Sequence, residues 1–151
     1  MKYPLTFYTD FGVGKTARGS TRMCFIFIRP KHKDDEGLYQ HELTHVKQWA
    51  ATTMLAAVLM TAAYSLAVAF FPSVFSAPLI AIYLQIILLS FSVFSLLYGT
   101  VPYIRLLAEV QAFKKQLNYY SDDRTAKFAG AIAKYYNLKI TPEEVERMLV
   151  K

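Results

Sequence analysis

The pattern of hydrophobic and polar positions divides the chain into three parts. Residues 1–49 mix short apolar runs with charged residues, residues 50–104 are almost continuously apolar, and residues 105–151 return to an amphipathic pattern. We predict a single, mainly α-helical domain with some β-structure (α+β). Its parts are a short N-terminal β-hairpin, a helix that runs into a two-helix apolar hairpin, and a C-terminal helical cap.

The N-terminal part predicts strands followed by a helix. Residues 4–9 and 22–29 are rich in β-branched and aromatic residues and are separated by a basic loop with glycines, which favours a β-hairpin or a pair of short strands. The next helix begins after a charged connection, and Asp34 and Asp35 are both suitable N-cap residues.

The central part predicts two membrane spans. Residues 50–71 and 79–101 are each long enough to cross a hydrocarbon core of ~30 Å, and the proline-containing segment 72–78 forms the turn between them. No Asp, Glu, Lys, Arg or His occurs in residues 48–104. The alternative is a hairpin buried inside a soluble protein, which would need far more covering polypeptide than 151 residues supply.

The charges lie on both sides of the apolar part. Residues 1–47 hold eight Lys or Arg against five Asp or Glu, and residues 105–151 hold nine against six, for a net charge of +6. The turn at 72–78 carries none. The positive-inside rule therefore predicts both termini in the cytoplasm, with a bacterial inner membrane as the expected location. Basic segments on both sides of an apolar centre suit the surface of an anionic lipid bilayer. The sequence has no basic stripe of the kind that binds nucleic acid, so no nucleic-acid partner is expected.

The C-terminal part predicts a small helical cap. The helix of the second span is expected to continue through Glu109 to about residue 118, with Gly99 and Pro102 as points where it could kink. Ser121 is a suitable N-cap for the next helix. Thr141, with proline next and Glu144 three residues later, is typical of a helix start, so the last helix should cover about 142–150.

The residues with the clearest chemistry lie in the predicted helix before the first span. His41 and His45 are four residues apart, so both imidazoles leave the same helix face and can bind one metal ion. Glu42 completes the H-E-x-x-H pattern, in which the histidines bind Zn²⁺ and the glutamate accepts a proton from the water that the metal activates. The chain has three histidines in all, so chance is a poor explanation of this spacing.

A catalytic zinc site needs a third protein ligand, and Glu109 is the best candidate. Residues 41 and 109 each lie 30 residues from the turn-side end of their span, so an antiparallel hairpin brings them to the same height. Asp122 and Asp123 are alternative ligands, although their place at a probable helix start explains them without a metal.

The H-E-x-x-H pattern in residues 41–48, followed by a helix that contains residues 109–116, resembles the gluzincin group of zinc metallopeptidases, in which a downstream helix supplies a glutamate as third ligand. It is also similar to small metallopeptidases of phages and bacteria. The resemblance covers about a fifth of the chain. It implies a Zn²⁺-dependent hydrolase that cleaves peptide bonds in a peptide or protein substrate. It also implies that residues 25–29 form a strand whose edge aligns the substrate. The alternative is that these residues only cover the helix.

Four further residues are candidates for contacts near the metal. Tyr119, Tyr120 and Arg105 are possible donors to the transition-state oxyanion, and each has a simpler structural role as an alternative. His32 is a candidate substrate contact or alternative ligand, and otherwise a solvated loop residue.

A second class of function stays open. A non-enzymatic membrane hairpin, such as a holin-like or scaffold component of a phage or bacterial system, would use the apolar spans alone. A third class, larger membrane peptidases with H-E-x-x-H, normally has a longer separation between the motif and the third ligand. The sequence leaves the substrate and the oligomeric state open.

Overall fold

The computed structural model describes residues 4–71, 78–136 and 139–150. Within these residues the chain is mainly helical with a small N-terminal sheet, which confirms the predicted fold class. The elements are β1 Leu5–Tyr8, β2 Gly19–Arg22, β3 Phe25–Ile28, a 3₁₀ turn Pro30–His32, α1 Glu36–Phe70, α2 Leu79–Thr100, α3 Pro102–Leu117, α4 Thr125–Tyr135 and α5 Pro142–Val150.

The sheet differs in detail from the predicted hairpin. β1 pairs in parallel with β3, and β2 pairs with β3 in the antiparallel sense, so β3 is the central strand. The run predicted as one strand over 22–29 is interrupted at Met23, whose φ of 55° belongs to a tight turn. Because β3 is paired on both sides, residues 25–28 have no free edge that could align a substrate. The edge strands of the sheet are β1 and β2.

The sheet packs on the first turns of α1 through one apolar face. Ile26 and Ile28 of β3 are buried against Leu38 and Val46 of the helix. Alternate residues of a strand point to the same face, which is why this pair shares one orientation. The sheet is therefore fixed next to the helix segment that carries His41, Glu42 and His45.

Helix α1 is continuous over 35 residues. It begins at Glu36 because the Asp35 carboxylate accepts a hydrogen bond from the backbone N–H of Leu38 at 2.9 Å, as an N-cap does. The metal-binding motif and the first apolar span thus belong to one rigid element, as the sequence predicted.

Two helices, α1 and α2, are long and apolar enough to cross a membrane by length and composition. The fully buried Ser90 of α2 contacts Met60 of α1, and Trp49 of α1 stacks on Phe91 of α2. Most other apolar side chains of the hairpin are exposed: Val58 is 65% exposed and Leu88 66%. The rest of the described chain therefore does not cover this surface. Residues 72–77, predicted as the turn, lie outside the described residues.

The chain changes direction between α2 and α3. Val101 has extended backbone angles and Pro102 occupies the start of α3, where its missing N–H costs no helical hydrogen bond. Arg105 closes the junction by donating to the carbonyls of Tyr98 and Gly99. The break lets α3 pack along the N-terminal part of α1 and brings Glu109 towards the histidines.

The C-terminal helices pack on α3 around a second apolar cluster. Thr141 and Glu144 form the predicted reciprocal cap at the start of α5. The predicted cap at Ser121 is wrong, since α4 begins at Thr125 and the Asp123 carboxylate accepts from the Thr125 N–H instead. The buried cluster consists of Leu106, Val110, Phe128, Ala129, Ile132, Val145 and Leu149.

The choice of Asp35 over Asp34 as the N-cap yields a stability prediction. Asp35→Ala removes the cap and also the acceptor of the Tyr120 hydroxyl, so we expect a loss of about 1–2 kcal/mol. Thermal unfolding in detergent, followed by circular dichroism, measures it. Asp34→Ala, at the exposed neighbouring position, is the matched control and should leave the midpoint unchanged; equal effects of the two variants would contradict the assignment.

Candidate metal centre

Three buried side chains converge between α1 and α3. His41 and His45 project from successive turns of α1, and Glu109 projects from α3 opposite them. The two Nε2 atoms are 3.2 Å apart; His45 Nε2 lies 3.4 Å from Glu109 Oε1, and His41 Nε2 lies 3.7 Å from Glu109 Oε2. The cluster offers one ligand atom per residue, all within 4.8 Å of one another.

Gln48 determines which nitrogen of His45 faces the cluster. Its Nε2 donates to the Ala108 carbonyl at 3.1 Å and to Gln111 at 2.8 Å, so its Oε1 is the acceptor for His45 Nδ1 at 2.9 Å. In the neutral imidazole the proton therefore resides on Nδ1, and Nε2 directs its lone pair towards Glu109. The same glutamine links α1 to the α3 backbone next to Glu109.

The Glu109 carboxylate is 1% exposed. The Tyr98 hydroxyl donates to its Oε1, whereas Oε2 has no hydrogen-bond partner among the described residues. A buried carboxylate with one oxygen unsatisfied is costly unless a cation compensates it. The Nε2 atoms of both histidines face this same carboxylate, and two imidazole nitrogens with one carboxylate are a donor set that a metal ion fits.

The environment of His41 favours its neutral form. Phe113 packs edge-on against the ring at a centroid distance of 4.4 Å. Burial lowers the pKa of His41 well below its usual range, and the neighbouring His45 lowers it further. A neutral imidazole is the form that binds a metal.

Glu42 lies on the same helix but is held by the sheet. The Thr21 hydroxyl is 2.7 Å from Glu42 Oε2, and a Cβ atom at Gly19 would come within 2.6 Å of Oε1, so only glycine lets β2 approach this closely. Burial raises the pKa of Glu42 to about 7; the interactions with His45 and Thr21 oppose that rise. A carboxylate in this range can both accept and release a proton near neutral pH.

A cavity of about 560 Å³ opens onto the cluster. His41, Glu42, His45 and Glu109 all line it, so the metal-binding atoms and the carboxylate are reachable from one space. Tyr136 also lines this cavity. Burial and the nearby Glu109 raise the pKa of its phenol, so Tyr136 remains a hydrogen-bond donor.

The structure places the other sequence candidates elsewhere. The Tyr120 hydroxyl donates to Asp35, Tyr119 is 43% exposed, and Arg105 donates to backbone carbonyls at the α2–α3 junction. His32 lies in the 3₁₀ turn. None of these four residues lines the cavity of the cluster. Asp122 and Asp123 are on the surface, bonded to Arg124 and to the Thr125 N–H, and are not part of the cluster.

Four residues of the site were missed by sequence reasoning. Thr21 and Tyr136 come from segments predicted only as loop or cap, and Tyr98 lies inside an apolar span where a tyrosine is unremarkable. Gln48 had a usable signal, because it follows His45 by three residues and so lies on the same helix face. The others depend on contacts between elements distant in sequence.

Comparison with known proteins adds no assignment. No protein-family model, curated protein or solved structure matches this chain. The function is therefore argued from the geometry of the site.

The cluster predicts the metal content of the purified protein. Supplied with Zn²⁺, the wild type should retain a single ion per chain, and His41→Ala and Glu109→Ala should lose it, because each removes one of three ligands. Elemental analysis of the detergent-purified protein, with circular dichroism to check folding, measures this. His32→Ala is the control and should keep the metal; a folded Glu109→Ala protein that keeps the full metal content would contradict the ligand set.

Proposed function

We propose that this protein is a zinc-dependent metallopeptidase that hydrolyses peptide bonds at the face of a membrane. The observation that carries the proposal is the buried His41–His45–Glu109 cluster with Glu42 lining the same cavity. Two imidazoles and a carboxylate form a donor set used by catalytic zinc sites, which leave a coordination position open for water or substrate. When bound there, zinc supplies a Lewis acid that activates water and polarises the substrate carbonyl.

Glu42 is the proton carrier in this proposal. It accepts a proton from the attacking water as the water oxygen bonds to the carbonyl carbon, and it delivers that proton to the amine nitrogen as the C–N bond breaks. Thr21 holds one carboxylate oxygen, so the side chain has a fixed orientation during both transfers.

The membrane location rests on the exposed apolar hairpin. Outside a membrane, the side chains of α1 beyond residue 50 and those of α2 would be exposed to water. Burying them in lipid would lower the free energy by about 25 cal/mol per Å² of apolar surface. The distribution of Lys and Arg then orients both termini towards the cytoplasm of a bacterial cell.

A non-enzymatic membrane hairpin is the second candidate function, favoured by the same exposed apolar surface. In that case the cluster would be a structural metal site that joins α1 to α3. A structural site is usually closed by four protein ligands, whereas this cluster has three and lines a cavity.

Replacing Glu42 separates the two candidates. Glu42→Gln keeps the shape of the side chain and removes its basicity, so we expect hydrolysis to fall by about 10²–10⁴-fold while the metal is retained. Cleavage of a mixed peptide substrate by the zinc-loaded protein in detergent, with metal analysis of the same samples, measures both. Glu36→Gln, at the exposed start of α1, is the matched control; no wild-type hydrolysis at full zinc content would favour the scaffold.

The proposed orientation predicts which side of the membrane Cys24 faces. Cys24 is the chain's single cysteine, so a membrane-impermeant maleimide applied to intact bacterial spheroplasts should label it only after the membrane is disrupted. In a Cys24→Ser background, Ser76→Cys, in the predicted external turn, should be labelled without disruption. Labelling of Cys24 in intact spheroplasts would contradict the proposed topology.

A further inference from the structure

Two cavities meet at the candidate catalytic residues. The first, of about 560 Å³, includes His45 and Trp49, further along α1; the second, of about 620 Å³, includes Leu38, nearer its start. His41 and Glu42 line both. The cavities therefore extend in opposite directions along α1 from the same residues, the first towards the apolar spans and the second away from them. We name them the span-side cavity and the distal cavity.

The span-side cavity is bordered by the ends of the two apolar helices. Trp49 comes from α1 where its apolar segment begins, and Phe94 and Tyr98 come from the last turns of α2. The Trp49 indole N–H donates to the Phe91 carbonyl, and the Tyr98 hydroxyl donates to Glu109, so both rings are fixed at the level where the apolar segments begin and end. A chain occupying this cavity would be in contact with the same layer of side chains that leads into the lipid.

The distal cavity is basic. Arg18, Lys127 and Lys134 line it, and all three are exposed. Its only acidic lining residue is Glu42, which lies at the boundary with the span-side cavity. Clefts lined by one sign of charge attract ligands of the opposite sign, so this end suits carboxylate side chains.

Strand β2 contributes a wall to both cavities. Gly19 lines both cavities, Thr21 and Arg22 line the span-side cavity, and Arg18 just before the strand lines the distal one. An extended peptide rises about 3.3 Å per residue, so a chain lying along this wall would have residues in both cavities and a peptide bond near Glu42.

From this arrangement we infer a substrate class for the proposed peptidase. The substrate is a membrane-anchored polypeptide, cleaved just outside the bilayer, with apolar residues on the membrane side of the cleaved bond and acidic residues on the other side. The inference rests on the proposed function. The inference adds two points to that function. The apolar hairpin positions the enzyme next to its substrate, and Arg18, Lys127 and Lys134 select the acidic segment of the substrate by charge.

Trp49 provides a direct readout of binding. It is the only tryptophan in the chain and lines the span-side cavity. The probes are synthetic peptides with an apolar span of about 20 residues, 4-nitrophenylalanine at the end of the span, and a tail of either acidic or basic residues. Both tails are also made without the span. The zinc-loaded, full-length Glu42→Gln protein in phosphatidylcholine vesicles binds them without turnover, and quenching of Trp49 fluorescence reports occupancy.

The acidic anchored peptide should bind at least about fivefold more tightly than the basic one, and more tightly than either free tail. Lys127→Glu with Lys134→Glu, exposed positions on α4, should reverse the charge preference. Lys114→Glu with Lys115→Glu changes the net charge equally but lies in a separate groove, so it should leave the preference intact. Equal binding of acidic and basic peptides, equal binding of the free tails, or an unchanged preference in the α4 variant would overturn the inference.

Cleavage of the same peptides by the wild-type protein distinguishes the two proposals. Selective binding without any cleavage would remove the proposed hydrolysis and leave a charge-selective binding site for membrane-anchored chains. Cleavage at equal rates whatever the charge of the tail or the presence of a span would support hydrolysis and overturn the substrate class.

Discussion

The buried carboxylate of Glu109 is the constraint on which the site depends. A carboxylate that is 1% exposed, with one oxygen bonded by Tyr98 and the other without a partner, carries a desolvation cost of several kcal/mol unless positive charge compensates it. Besides Tyr98, the side chains that face it are His41 and His45, whose Nε2 atoms lie 3.7 and 3.4 Å from its oxygens. A metal ion satisfies all three groups at once, so metal binding and the packing of α1 on α3 would stabilise each other.

The packing that brings these groups together relies on polar contacts between elements. Gln48 bonds to His45 on its own helix and to the Ala108 carbonyl on α3, so it determines both the histidine tautomer and the alignment of the two helices. Thr21 attaches the sheet to Glu42 in the same way. These contacts orient the residues of the candidate metal site, which is the part usually played by an outer ligand shell. One continuous helix then joins this site to the apolar hairpin.

Sequence reasoning succeeded where a local pattern carried the information. The 3.6-residue period brought His41 and His45 to one face, the length and composition of the apolar segments predicted both long helices, and the Thr141–Glu144 cap was recognisable from four residues. It failed where one local pattern had two readings. The run over 22–29 has the composition of a single strand, but the left-handed turn at Met23 divides it. Ser121 has the side chain of an N-cap, but α4 begins at Thr125, whose N–H donates to the Asp123 carboxylate.

The sequence by itself determined that α1 carries a pair of histidines with a glutamate beside them, and that the chain returns antiparallel to bring Glu109 to their height. Both follow from helix rise and period, which depend only on residue number. Only the tertiary structure decided which tyrosine contacts Glu109, which strand supports Glu42, and that of the two cavities at this site one borders the apolar spans and the other is lined by basic residues. Those features are contacts between segments far apart in sequence, and the break at Val101–Pro102 set the direction of α3 that made them possible.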